Sequence, residues 1–166
     1  MAENSSPKIV PHFEILMNLR MDCAAALFLV GLTLAWPAAA DPLVTYILRI
    51  KNHKIRVEAA TGEEERLRGL MHRERLAPDT GMIFSYPHVG PTSMWMKNTR
   101  IPLSVAFIDA RGKILNIEDM TPFSEQAHGS KGDAAYALET NLGWFQKRRI
   151  GAGEKVFGLE QLPAAK

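Results

Sequence analysis

Cysteine is almost absent from this chain. The single one, Cys23, sits ahead of residue 41. Beyond that point there is no thiol, which excludes disulfides, thiolate metal sites and a cysteine nucleophile together. Charge of one sign is missing too. From Asp41 onward Lys and Arg number 18 against 15 Asp and Glu, a surplus too mild and too evenly spread to grip nucleic acid. No G-x-S-x-G elbow and no H-E-x-x-H occurs, and the serines have no His/Asp pattern beside them, so no hydrolase signature is present. There is no internal repeat and no low-complexity segment. The longest apolar run, Ala24 to Ala35, stops at Trp36-Pro37, short of the roughly 20 residues that a membrane-spanning helix needs.

That run has a different reading. A basic residue (Arg20) precedes it, and Ala38-Ala39-Ala40 closes it with small residues. A basic flank, an apolar stretch and an A-x-A ending are the marks of a secretory signal peptide. Residues 1–40 are therefore expected to be cleaved. The rest would then be periplasmic or secreted, starting at Asp41 and without stable membrane insertion. Cys23 lies at the front of the apolar run, where it is misplaced for lipid attachment.

Residues 41–166 suffice for one ordinary domain resting on its own core. Thr45–Lys51 and Lys54–Glu58 alternate apolar with charged residues and read as two strands around an Asn52-His53 turn. Thr61 with Glu64 predicts a capping box, followed by a helix whose apolar stripe is Leu67, Leu70 and Met71. Gly69 inside that stripe predicts close backbone packing or an early helix end. Met82–Tyr86 reads as a strand. Leu103–Ile108 and Lys113–Glu118 form a hairpin around Asp109-Ala-Arg-Gly112. Ala135–Thr140 is a further strand, Asn141 can cap a short helix over residues 142–150, and Lys155–Phe157 is a last strand. The expected fold is mainly β: a compact antiparallel β-barrel or sandwich with two short helices.

The unusual chemistry gathers in Ser93-Met-Trp-Met-Lys-Asn-Thr-Arg-Ile-Pro-Leu103. Met94 to Met96 suits a short strand with the methionines on one face and Trp95 on the other. Lys97 to Arg100 is too polar for a core and too short for a helix, and a polar loop on a rigid rim is a common place for binding residues. This stretch belongs to an ordered set of motifs: Arg68-Gly-Leu-Met71, Gly81-Met-Ile-Phe84, Met94-Trp-Met-Lys-Asn-Thr99, Ile101-Pro-Leu103 and Phe107-Ile-Asp109. Leu138-Glu139, Gly143 and Gly153-Glu154 follow them. The set resembles the bacterial and archaeal family known as domain of unknown function 192, over nearly all of Leu48 to Phe157. The resemblance implies a β-rich barrel or sandwich with small helices, and it brings no established activity. The family usually carries aspartate directly after the Pro-Leu pair, where this chain has Ser104.

The candidate ligand-binding residues are Arg68, Trp95, Lys97, Asn98, Thr99 and Glu139. Each has a plainer use as well. Arg68 can pair with Glu64 four residues earlier, the Trp95 indole can be simple core, and Asn98 and Thr99 can bond their own loop. Glu139 interrupts an apolar strand and needs a partner, for which Arg68 or Lys97 would serve. If these groups converge, the site is net positive and favours anions, more so with Ser104 in place of a carboxylate. The leading reading is a non-enzymatic binding module for a small polar or anionic ligand or a peptide, with no cofactor, no metal and no nucleic-acid partner. An envelope enzyme of unassigned reaction is the alternative. Copper(I) held by methionines with His72 or His88 is the third, although Met also fills irregular cores. Lys147-Arg148-Arg149 closes a helix, where cations suit the dipole. Export has a direct consequence: N-terminal sequencing of the protein recovered from the periplasm or medium should begin at Asp41. Recovery of an intact N-terminus from the cytoplasm would overturn it.

Overall fold

The computed structural model describes residues 44–166; the expected signal segment 1–40 and its cleavage point lie outside them. Strand alternation holds from the start. Strands β1 (Thr45–Ile50) and β2 (His53–Ala60) pair antiparallel. They bury Leu48, Ile50, Ile55 and Val57 and expose Arg49, Lys54 and Arg56. The turn falls on Lys51-Asn52, with Lys51 in the left-handed region at φ 52°.

Helix α1 (Glu63–Arg68) begins one residue later than Thr61 and Glu64 foretold. Gly62 is the cap, and Glu65 reaches back to accept hydrogen bonds from the N–H groups of Thr61 and Gly62, both at 2.8 Å. Those donors hold the Glu65 carboxyl below its ordinary range. The expected apolar stripe does not form. Gly69 ends the helix at φ 48°, Leu67 is exposed, and only beyond the end does Leu70 enter the core. The chain also passes close here: a β-carbon on Gly69 would stand 3.2 Å from Cζ of Phe84.

The chain then crosses to β3 (Thr80–Gly90), which runs parallel to β2. This is the one departure from the expected antiparallel order. Strands β5 (Leu103–Ile108), β6 (Ile114–Met120), β8 (Ala134–Asn141) and β9 (Val156–Phe157) complete a seven-stranded sheet in the order β6-β5-β8-β3-β2-β1-β9. Its outer strands meet at one end. The Ile114 N–H donates to Glu154 O (2.9 Å), Gly153 N–H to Ile114 O (2.8 Å) and Val156 N–H to Gly112 O (2.8 Å), curling the sheet into a half-barrel. A two-stranded ribbon, β4 (Ser93–Met94) with β7 (His128–Gly129), stands apart.

Two cores flank the sheet. One holds Ile83, Ala106 and Leu138 under Trp144 and Phe145 of helix α2 (Trp144–Lys147). The other holds Met82, Phe84, Val105 and Ala137 under Leu70, Met96 and Ile101. The residues alternate between the cores along each strand, as the two-residue period requires. Every residue of β5 is buried. Asn141 does not cap α2, because Gly143 takes the cap at φ 74°. The Asn141 amide instead donates to Leu76 O and Ala77 O, both at 3.1 Å. Arg148 is not merely solvated: its guanidinium lies 4.4 Å from the Trp144 ring centroid and bonds Asp79.

Close approach is tightest at Gly81, where a β-carbon would sit 2.3 Å from the Glu139 carbonyl oxygen across the ladder. That atom cannot yield without breaking strand pairing. Gly81→Ala should therefore cost about 1–3 kcal/mol of stability in a chemical denaturation series, the range for overpacked interiors. Gly151→Ala, which meets nothing within 4 Å, should leave the midpoint unchanged. Equal midpoints for the two variants would refute the steric argument.

Candidate functional site

Glu139 is the anchor of the site. It lies on β8 between Met82 of β3 and Val105 of β5, facing the same core as Ala137 two residues earlier. Its relative exposure is 3%. No hydrogen bond or ion pair to its side chain is found among the described residues, although it faces a cavity of about 20 Å³. Burial removes water from the charged form and pushes the carboxyl up to about 8, so at neutral pH it carries its proton.

The cavity is roofed by two segments. The end of α1 and its following turn contribute Arg68, Gly69 and Met71, and the end of β4 with its following loop contributes Met94, Trp95 and Thr99. The loop is fixed by backbone bonds: Met96 N–H to Ser124 O (2.8 Å), Thr99 N–H to Met96 O (3.0 Å) and Phe123 N–H to Thr99 O (3.0 Å). Asn98 sits at φ 56°, a region that Asn tolerates better than most residues. Its carbonyl accepts from His72 N–H at 2.9 Å, tying the two roof segments together.

Four of the six candidates, Arg68, Trp95, Thr99 and Glu139, thus line one cavity. The expected ion pair does not form, because Arg68 bonds Glu64 on its own helix and the pair is exposed. Lys97 does not line the cavity either; its ammonium lies 5.2 Å from the Trp95 ring centroid. Asn98 is exposed and serves the turn through its backbone. Thr99 is buried, its hydroxyl donating to Lys97 O at 3.3 Å. Trp95 is 45% exposed, which sets aside the view of its indole as core.

Sequence reasoning missed Arg66, Met71 and Met94 as lining residues. Arg66 donates to the carbonyls of Thr61 and, at 3.2 Å, Ser85. Nothing in the local pattern foretold this, since the contact with Ser85 spans 19 residues. Ser104 belongs elsewhere. It neighbours Val105 on β5 but faces the opposite side of the sheet, donating to Asp119 Oδ1 (2.5 Å) and accepting from Gly143 N–H (2.8 Å). Having serine there changes nothing in the charge around Glu139.

For copper, Met82, Met96 and Met120 are buried in the core, as gap-filling predicts. Met94 already accepts from the Tyr86 hydroxyl at 3.2 Å. Its cross-strand neighbour is His128, not His72 or His88. Among the described residues no cluster of three or more His, Cys, Asp or Glu is poised for a metal. Larger depressions exist among the described residues, one of them an open groove of about 590 Å³ beside Ser104, Asp119 and Lys131. Its Ser104 and Asn116 are already hydrogen-bonded within the protein.

Fold and site define an uncharacterised β-domain. Residues 46–158 match domain of unknown function 192, described as an uncharacterized ACR, and the chain belongs to that family. A crystal structure from Sinorhizobium meliloti, provisionally described as a transcription regulator, is 34% identical with a TM-score of 0.70. That match covers 72% of this chain and 98% of the other. A protein of unknown function from Novosphingobium aromaticivorans is 30% identical with a TM-score of 0.67, over 71% of this chain and 93% of the other. No curated protein matches.

The raised carboxyl has a definite thermodynamic sign. Between its ordinary 4.5 and about 8 the folded chain keeps a proton that the unfolded chain has released. Stability attributable to this group therefore falls as pH rises through that window and levels off above it. Glu139→Gln removes the titration. Its unfolding free energy relative to wild type, measured by chemical denaturation, should climb from about pH 5 to about pH 8, with a steepest slope on the order of 1 kcal/mol per pH unit. Parallel curves for the two proteins would show that Glu139 does not titrate in this way.

Proposed function

We propose that this chain is a non-enzymatic, exported binding module. It would hold the polar or anionic end of a small ligand, or of a peptide, in the cavity beneath Trp95. The observation that carries the reading is Glu139: a buried carboxyl without a protein partner, facing a cavity whose mouth bears an exposed indole. Such a group in a core costs free energy unless a partner satisfies it. A ligand head group would be that partner, and the indole would cover the rest.

Binding is favoured over catalysis by what the cavity brings together. It presents one carboxyl and no activated nucleophile, and the Thr99 hydroxyl is already bonded to its own loop. The space suits a single head-group atom, since about 10–15 Å³ is what one water requires. Export rests on the N-terminal segment, not on the domain.

The test is a titration of the mature protein at about pH 6, followed through the Trp95 indole N–H resonance. The probes are acetate, phosphate, methylammonium, glucose and glycylglycine, up to tens of millimolar, where weak sites saturate. At least one probe should shift that resonance saturably together with the Thr99 amide. No shift with any of the five would overturn the reading.

A further inference from the structure

The cavity's chemistry is more specific than its size. The strand neighbours of Glu139, Met82 and Val105, are apolar. Titratable and charged groups come from two other directions. Arg66 and Arg68 of α1 line the cavity, and the Tyr86 phenol of β3, itself raised chiefly by burial, feels both Glu139 and Arg66. No second carboxylate lines the cavity. Its lining is thus cationic or neutral apart from Glu139, Glu64 being outside it and exposed on Arg68, and Glu139 has no acceptor for its hydroxyl.

We propose that this cavity takes a carboxylate. Glu139 keeps its proton and donates it in a hydrogen bond to one ligand oxygen, and Arg68 leaves Glu64 to grip the other. This rests on the reading of the cavity as the binding site. The exchange at Arg68 is cheap: its present partner is an exposed i,i+4 contact, a type worth about 0.2–0.5 kcal/mol. Arg66 stays in place, held by the Thr61 and Ser85 carbonyls, and supplies a fixed positive field. An O–H donating to a carboxylate is among the short, strong hydrogen bonds. The roughly 20 Å³ available admits one oxygen, leaving the remainder of the ligand at the Trp95 rim. An ammonium ligand meets the opposite conditions, facing two guanidinium groups and requiring Glu139 to ionise first.

One consequence separates this assignment from any generic polar site. No bond is made or broken, but the Glu139 proton must remain for the ligand to stay. As pH rises through about 8, two carboxylates would share a cavity of about 20 Å³, and binding is lost.

The experiment titrates the mature protein with acetate from about pH 6 to about pH 9.5, reading the Trp95 indole resonance. Acetate affinity should be level at the acid end and fall about tenfold per pH unit above the Glu139 transition, the slope of a one-proton linkage. Glu139→Gln, which keeps a neutral donor, should bind acetate with that pH dependence removed. Arg68→Ala, a surface change that leaves the core untouched, should bind roughly tenfold more weakly at every pH, the loss expected for one charge-assisted bond. Saturable acetate binding with no pH dependence in wild type would overturn the proton-linked assignment while leaving the cavity as the site. Saturation by methylammonium but not acetate would overturn the ligand class. Silence with every probe would remove the binding reading itself.

Discussion

The constraint on which the rest of this domain depends is that β3, β8 and β5 lie side by side with a dry core on each face. Strands so placed must be apolar on both sides, and their sequences comply almost throughout. Besides the small hydroxyls of Ser85, Ser104 and Thr140, the exception is Glu139, in the middle strand. Removing it from water without a partner drives it to its neutral form. Its side chain faces a cavity of about 20 Å³. Gly81 opposite lets the backbones approach at this point.

What covers Glu139 is held from a distance. Gly69 stops α1 early and lets the chain pass over Phe84, which brings Arg68 and Met71 to the rim. The loop after β4 is tied to residues 123–124 and, through Asn98 O, to His72. The polar residues of that loop therefore divide their work. Thr99 and Asn98 shape the turn, Lys97 rests over the indole, and Trp95 is left to face solvent above the cavity. A loop fixed by its own backbone bonds displays its aromatic in one place, which favours recognition over adaptation.

The groove beside Ser104 illustrates the contrary case. It is far larger, yet its serine and asparagine are already satisfied and its Asp119 is exposed. Size alone marks where solvent can sit. A buried polar atom without a hydrogen-bond partner, such as Ser85 Oγ, carries a desolvation penalty that size does not report.

Much of this was legible in the residues themselves. Two-residue alternation in 45–60 announced β1 and β2, and the Asp109–Gly112 turn between two apolar runs announced the β5–β6 hairpin. The oddity of a glutamate in an apolar strand singled out Glu139. These are local signals, written by the pleat and by turn stereochemistry, and they survive without tertiary context. The parallel pairing of β2 with β3, the cap at Gly62 and the exposure of Trp95 were not legible, and the residues left open whether Arg68 pairs with Glu64 or Glu139. The strand pairing and the exposure of Trp95 depend on which distant segments pack together. Arg68 has Glu64 within reach on its own helix and does not cross to Glu139. Periodicity placed Glu139 on a buried strand, but only the packing of 66–71 and 94–99 above it left that carboxyl a cavity rather than a cation.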